Sequence, residues 1–213
     1  MITSHLRAVL AGAALAAAGA LQAAPTIYST QAAFLAAVSA PAIDTFDDLA
    51  QGAAAAPLSR SVGGYSYQVM DTGVDDGFFN VGIGSDTWLS PSTATDEVVF
   101  SNFSPGVQGV GGLFFATDIS GSFIAGQGVL VTATDASGSA QFTVTNTGPS
   151  SFVGFVSNGG FISLTVSAVN NVNAWPTINN LTLAAAAVPE PAAYTLMLAG
   201  LGLLGAVARR CRA

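Results

Sequence analysis

The residues able to do chemistry are nearly all carboxylates. The segment Asp71-Thr-Gly-Val-Asp75-Asp76-Gly77 gathers three of them into a glycine-bearing turn, and Asp44, Asp47 and Asp48 form a second group. Calcium takes about six to eight oxygen ligands, which turns of this kind can supply, so Asp71, Asp75 and Asp76 are candidate calcium ligands. Neither group has a glutamate at the spacing that closes an EF-hand, and turn aspartates also cap and bend the backbone with no metal present. A carboxylate-dependent glycoside hydrolase would need two carboxyls about 5–10 Å apart, one of them with a raised pKa. Adjacent aspartates such as Asp75 and Asp76 point to opposite sides of an extended chain and fit that need poorly.

Other catalytic side chains are missing where they would matter. The one histidine is His5, the one cysteine is Cys211, and there is no lysine. The body of the chain, residues 24–187, therefore cannot build a serine–histidine or cysteine–histidine nucleophile, a lysine Schiff base, a histidine/cysteine zinc site or a disulfide. The expectation is a protein that is not an enzyme and holds no cofactor, calcium being the one candidate. That body also carries eleven acids against the single base Arg60, a net charge of −10. Without a basic patch the usual electrostatic term in nucleic-acid binding is lost, so nucleic acid is excluded as a partner.

The two ends differ from the body. Met1–Arg7 supplies a short positive start, Ala8–Leu21 an apolar run, and Gln22-Ala23-Ala24 a small-residue exit. That order is a secretory signal peptide over residues 1–23, with cleavage between Ala23 and Ala24. Cleavage one residue later would place Pro25 just beyond the cut, where its ring disfavours an extended, protease-bound backbone. At the other end Pro189-Glu190-Pro191 precedes an apolar stretch, 192–208, and then Arg209, Arg210 and Arg212. Seventeen helical residues rise about 25 Å, a minimal transmembrane helix helped by snorkelling arginines. The arginines keep their end in the cytoplasm, so the Pro-Glu-Pro end emerges on the far side of the inner membrane together with the exported domain.

A Pro-Glu-Pro triplet, a short apolar helix and a terminal arginine cluster, in that order over 188–213, resemble the PEP-CTERM sorting signal of Gram-negative bacteria. Cys211 is a small departure from an all-arginine ending. The resemblance implies an exosortase-type membrane protease or transpeptidase as partner, cutting near Pro189, Glu190 and Pro191. It further implies release to the cell surface or to an exopolysaccharide matrix. The physics agrees, since two prolines hold the backbone extended and accessible just outside the bilayer.

Between these ends lies one exported domain, 24–187. Phe34, Leu35 and Val38 share a face behind a Ser29/Thr30 cap, predicting one short helix that Pro41 ends. From there the pattern turns to period two. Strands are expected at Ile43–Phe46, Tyr65–Met70, Glu97–Phe103, Gly112–Thr117, Gly128–Thr134, Ala140–Asn146, Phe152–Val156, Phe161–Val169 and Ile178–Leu183. Val129, Val131 and Ala133 fall on one face, as do Ile162, Leu164, Val166 and Ala168. Asp135–Gly138 and Ser157–Gly160 read as hairpin turns. Nine short strands with no second helix in the body make an all-β, antiparallel, jelly-roll-like β-sandwich, and no cysteine pair favours an immunoglobulin arrangement.

All thirteen phenylalanines fall in this domain and supply its core. Phe78-Phe79 and Phe114-Phe115 are adjacent pairs, so one ring of each must face outward, to be covered by a loop or offered to a ligand. The Gly109-Val-Gly-Gly-Leu-Phe-Phe115 lead into an aromatic strand, and the close over Phe161–Leu183 in which an alternating strand is followed by Pro176-Thr-Ile-Asn-Asn-Leu-Thr-Leu183, are similar to jelly-roll domains that commonly precede this sorting signal, many of them lectin-like. Two functions follow as expectations: a sorted surface or matrix protein, or a glycan-binding module, calcium-assisted or not, for the exopolysaccharide itself.

Overall fold

The computed structural model describes residues 23–73, 77–145, 148–169, 173–187 and 191–210. The first half of the body forms β1 (Thr26–Tyr28), α1 (Gln31–Ala37), β2 (Val38–Asp44), β3 (Gly52–Ala55), β4 (Leu58–Val62), β5 (Tyr65–Asp71), β6 (Gly77–Ile83), β7 (Asp86–Trp88) and β8 (Val98–Ser101). The second half forms β9 (Gly109–Thr117), β10 (Val129–Asp135), β11 (Gly138–Val144), β12 (Phe152–Val156), β13 (Phe161–Ala168) and β14 (Trp175–Ala186). The helix α2 (Pro191–Arg210) follows.

One sheet runs β1-β12-β9-β14-β2 and a second β11-β10-β13-β8-β5-β4, with a small third sheet β3-β6-β7. Every strand pairing among the described residues is antiparallel. The order has a simple logic. Within the run β2, β5, β9, β10, β11, β12, β13, β14, the first strand pairs with the last, the third with the sixth and the fourth with the fifth. The second and seventh, β5 and β13, are separated only by the inserted β8. A chain folded back on itself as a ribbon and wound over two sheets in this way is a jelly roll.

The core lies between the two large sheets. Val69, Phe100, Val131 and Leu164 meet Val110, Phe114, Phe155 and Ile178, all of them fully buried. Phe78 and Leu89 of the β6–β7 region extend the same core. The outer face of the five-stranded sheet is covered by α1, whose Phe34 packs with Val38 and Ala184. Thr30 caps this helix, its hydroxyl accepting from Ala33 N at 3.3 Å.

Several sequence expectations are corrected. The helix stops at Ala37, before Pro41, because Val38 already turns extended and pairs with Ala186 at the start of β2. Phe46 lies outside any strand, at φ 63°. Ile162 does not share the buried face: a register shift between Thr134 and Asp135 places Phe161 opposite Asp135, leaving Ile162 57% exposed. Asp135–Gly138 is the hairpin turn between β10 and β11. Ser157–Gly160 is no hairpin, since β12 belongs to one large sheet and β13 to the other; the turn is a corner between sheets, with Gly160 at φ 83°.

Candidate functional site

The Asp44, Asp47 and Asp48 group is a clasp around the body's one arginine. Arg60 Nε donates to Asp44 Oδ2 at 3.0 Å and Nη2 to Asp44 Oδ1 at 2.5 Å. On the other side Nη1 and Nη2 donate to Asp48 Oδ2 and Oδ1 at 2.8 and 2.7 Å. Asp44 is 5% exposed and also accepts from the Tyr67 hydroxyl, at 2.7 Å, and from Phe46 N, at 3.1 Å. The guanidinium sits 5.6 Å above the Phe46 ring. Asp47 does a separate job, accepting from Thr87 N at 3.0 Å and tying β7 to this loop. Hydrogen bonding to Arg60 holds the Asp48 carboxyl below the usual range. Burial, then the Asp44 charge, push the Tyr67 hydroxyl up, so it stays a protonated donor. Asp44 and Asp48 are thus engaged in an ion-pair network with Arg60, and Asp47 in a backbone hydrogen bond.

Of the candidate calcium ligands, Asp75 and Asp76 lie outside the described residues. Asp71 is 5% exposed and accepts from Gly73 N and Gly77 N. The sequence reading missed its neighbour Asp96, which is brought close by the pairing of β5 with β8. A Cβ at Gly73 would stand 2.9 Å from Asp71 Oδ1 and 2.3 Å from Asp96 Oδ2. Among the described residues no group of three or more histidine, cysteine or acidic side chains is placed to hold a metal ion. Asp135 is likewise structural. It accepts from Ser137 N, Ser137 Oγ and Gly138 N in its own turn, and from Ser157 Oγ at 2.6 Å in the sheet-to-sheet corner. Burial raises its pKa, but the hydrogen bonds from Ser137 and Ser157 outweigh that and leave it lowered.

The adjacent phenylalanines divide as the strand period requires. Phe78 is fully buried and Phe79 is 47% exposed. Both Phe114 and Phe115 are buried, because the outward ring of Phe115 is covered by Trp88, edge-on at 4.9 Å, and by Phe123. Phe79 is left lining a cleft together with Trp175, Asp118 and Ile119.

Ala23 and Ala24 are exposed, whereas Pro25 is buried and β1 starts at Thr26. The remainder of the signal-peptide expectation falls outside the described residues. At the other end β14 closes the sandwich at Ala186. Pro189, Glu190 and Arg212 lie outside the described residues, while Pro191 is the first residue of α2 and Arg209 and Arg210 stand in its last turn, where cations complement the helix dipole. Met197, Leu198, Leu201 and Leu204 are all exposed, an apolar surface on the helix. The helix expected over 192–208 therefore forms, but among the described residues no helix is long and apolar enough to cross a membrane. The physical margin is narrow, since the apolar run is about 5 Å shorter than a hydrocarbon core.

Residues 187–213 match the family described as the PEP-CTERM protein-sorting motif. No curated protein and no solved structure matches the chain. The chain thus pairs a jelly-roll body with a PEP-CTERM motif, the recognition signal of the membrane enzyme exosortase. The motif implies export and a membrane-anchored intermediate in sorting. Its first residue falls one position after the last strand residue, so motif and folded body do not overlap.

Proposed function

We propose that this protein is exported, held in the inner membrane by α2 with Arg209, Arg210 and Arg212 on the cytoplasmic side, and cut by exosortase near Pro189-Glu190-Pro191. The body is thereby delivered to the cell surface or exopolysaccharide matrix. The observation that carries this reading is the boundary: β14 ends at Ala186 and the sorting motif spans 187–213, so a cut at the triplet removes no strand. The exposed leucines of α2 favour lipid as their cover, and the terminal arginines can snorkel to make up for a short span.

On this reading the body is a passenger with no catalytic role and no cofactor. Asp48, Asp118 and Asp135 are each held below the ordinary carboxylate value, opposite to the raised value a glycosidase acid needs. Replacing Pro189, Glu190 and Pro191 together by alanine should leave the chain at full length in the inner-membrane fraction, while the parent reaches the surface fraction shortened. Equal release of variant and parent, seen by fractionation and immunoblot, would reduce the triplet to a linker.

A further inference from the structure

A cleft of about 140 Å³ opens between β6, the loop after β9 and the start of β14. Phe79, Val81, Ser92, Ile119 and Trp175 line it. Ile119 is 78% exposed at the tip of its loop, and Phe79 nearly half exposed, so two large apolar side chains frame a concavity. The loop is built to hold this shape. Asp118 Oδ1 accepts from Ser120 N at 2.9 Å, Ser120 Oγ at 2.6 Å and Ser122 N at 2.9 Å, and Asp118 N donates to Ser122 O. Gly121, at φ 81°, rests so closely on Val81 that a Cβ there would come within 2.5 Å of it. Trp175 is fixed in turn, its Nε1 donating to Ser92 O at 3.4 Å.

Chemistry narrows the ligand. Among the described residues Asp118 is the one charged residue lining the cleft, and the body's one arginine is held in the Asp44/Asp48 clasp. A phosphate, sulfate or carboxylate would meet a like charge with no counter-charge nearby. Asp118 Oδ2 takes none of the loop hydrogen bonds and can accept from a ligand hydroxyl. Among the described residues Phe79 and Trp175 pair with no other ring, which leaves aromatic surface for a ligand. As to size, a cavity of about 150 Å³ accommodates benzene, so this cleft admits one six-membered ring. An apolar lining with a few convergent polar groups is the general character of a small-ligand site.

We propose that the cleft binds a single pyranose unit of an uncharged polysaccharide, its apolar ring face against Phe79 and Trp175 and its hydroxyls donating to Asp118. The other units of such a chain run out through the open side. This gives the glycan-binding function a site, and it stands apart from sorting, which the tail governs.

The chain's two tryptophans make the test direct, because Trp175 borders the cleft and Trp88 is 3% exposed. The full-length protein, held in a detergent without a sugar head group, is titrated with neutral gluco-, manno- and galacto-oligosaccharides while tryptophan emission is followed. At least one series should give a saturable shift that Trp175→Phe removes and Phe79→Ala weakens at least tenfold. Ile119→Ser, at an exposed loop tip, should also weaken binding and serves if Phe79→Ala fails to fold. The proposal is overturned by no response to any neutral series, by an unchanged affinity in both cleft variants, or by a response to tetramethylammonium chloride alone, which would mark a cation site.

Discussion

Replacing Arg60 by methionine is expected to destabilise the body by about 3–5 kcal/mol, the scale found when one partner of a buried ion pair is removed. Asp44 is the reason. Its carboxylate is 5% exposed and would keep only the Tyr67 hydroxyl and Phe46 N as donors, with its two bonds to Arg60 gone. A second loss follows from Phe46, a buried bulky residue at φ 63°, a backbone state that persists only where its surroundings hold it. Arg60 covers that ring, so its removal loosens the strained turn as well. Urea unfolding followed by circular dichroism measures the effect. A loss below about 1 kcal/mol would mean the clasp behaves as an exposed surface pair.

The same clasp has a pH signature. Arg60 holds the folded-state Asp48 carboxyl below its ordinary value, so its contribution is complete above the unfolded pKa of about 3.9 and fades as pH falls through the lowered folded value. The stability gap between parent and Arg60→Met should therefore be flat above about pH 5 and narrow on further acidification.

Gly154→Val is expected to cost about 3 kcal/mol, the upper end of ordinary overpacking. A Cβ at 154 would lie 2.5 Å from Phe34 Cδ2 and 2.8 Å from Cγ, atoms at the root of a rigid ring. That ring cannot step aside, being fully buried between Tyr28 at 6.4 Å and Phe152 at 5.6 Å. A neighbouring glycine meets the same limit: a Cβ at Gly109 would come within 2.6 Å of Val38 Cγ1. Glycine in β12 is thus what lets α1 lie down on the five-stranded sheet, and glycine in β9 what leaves room for Val38. Adding Phe34→Leu should recover part of the loss, and strict additivity of the two changes would show that they do not share this contact.

These glycines also explain where the sequence was hard to read. Strands whose polar and apolar residues alternate, such as Val129–Asp135 and Phe161–Ala168, are legible from that alternation. The lead Gly109-Val-Gly-Gly carries small residues because Val38, Phe152 and Phe114 crowd its glycines, so it resembles a turn although it is the first half of β9. The small third sheet is not legible because Gly52–Ala55 holds only glycine and alanine, with no polar residue to alternate, and the adjacent Phe78-Phe79 of its partner strand breaks the period-two pattern. Leu58–Val62 does alternate, with Leu58, Arg60 and Val62 on one face of β4. The Asp44/Asp47/Asp48 group was legible as a cluster, but its partner is twelve residues or more along the chain and only the pairing of β4 with β5 aligns Arg60 with Tyr67. The cleft shows the same limit, since Phe79, Asp118 and Trp175 come from three separate parts of the sequence. The sorting tail was readable because its logic is local: prolines, apolar run and arginines act in the order in which they are written.

The intact mass of the protein recovered from the cell surface tests the central claim most directly. The account predicts a chain beginning at Ala24 and ending between Val188 and Pro191, with the whole sandwich from Thr26 to Ala186 present. A surface form that still carries residues 192–213 would contradict it.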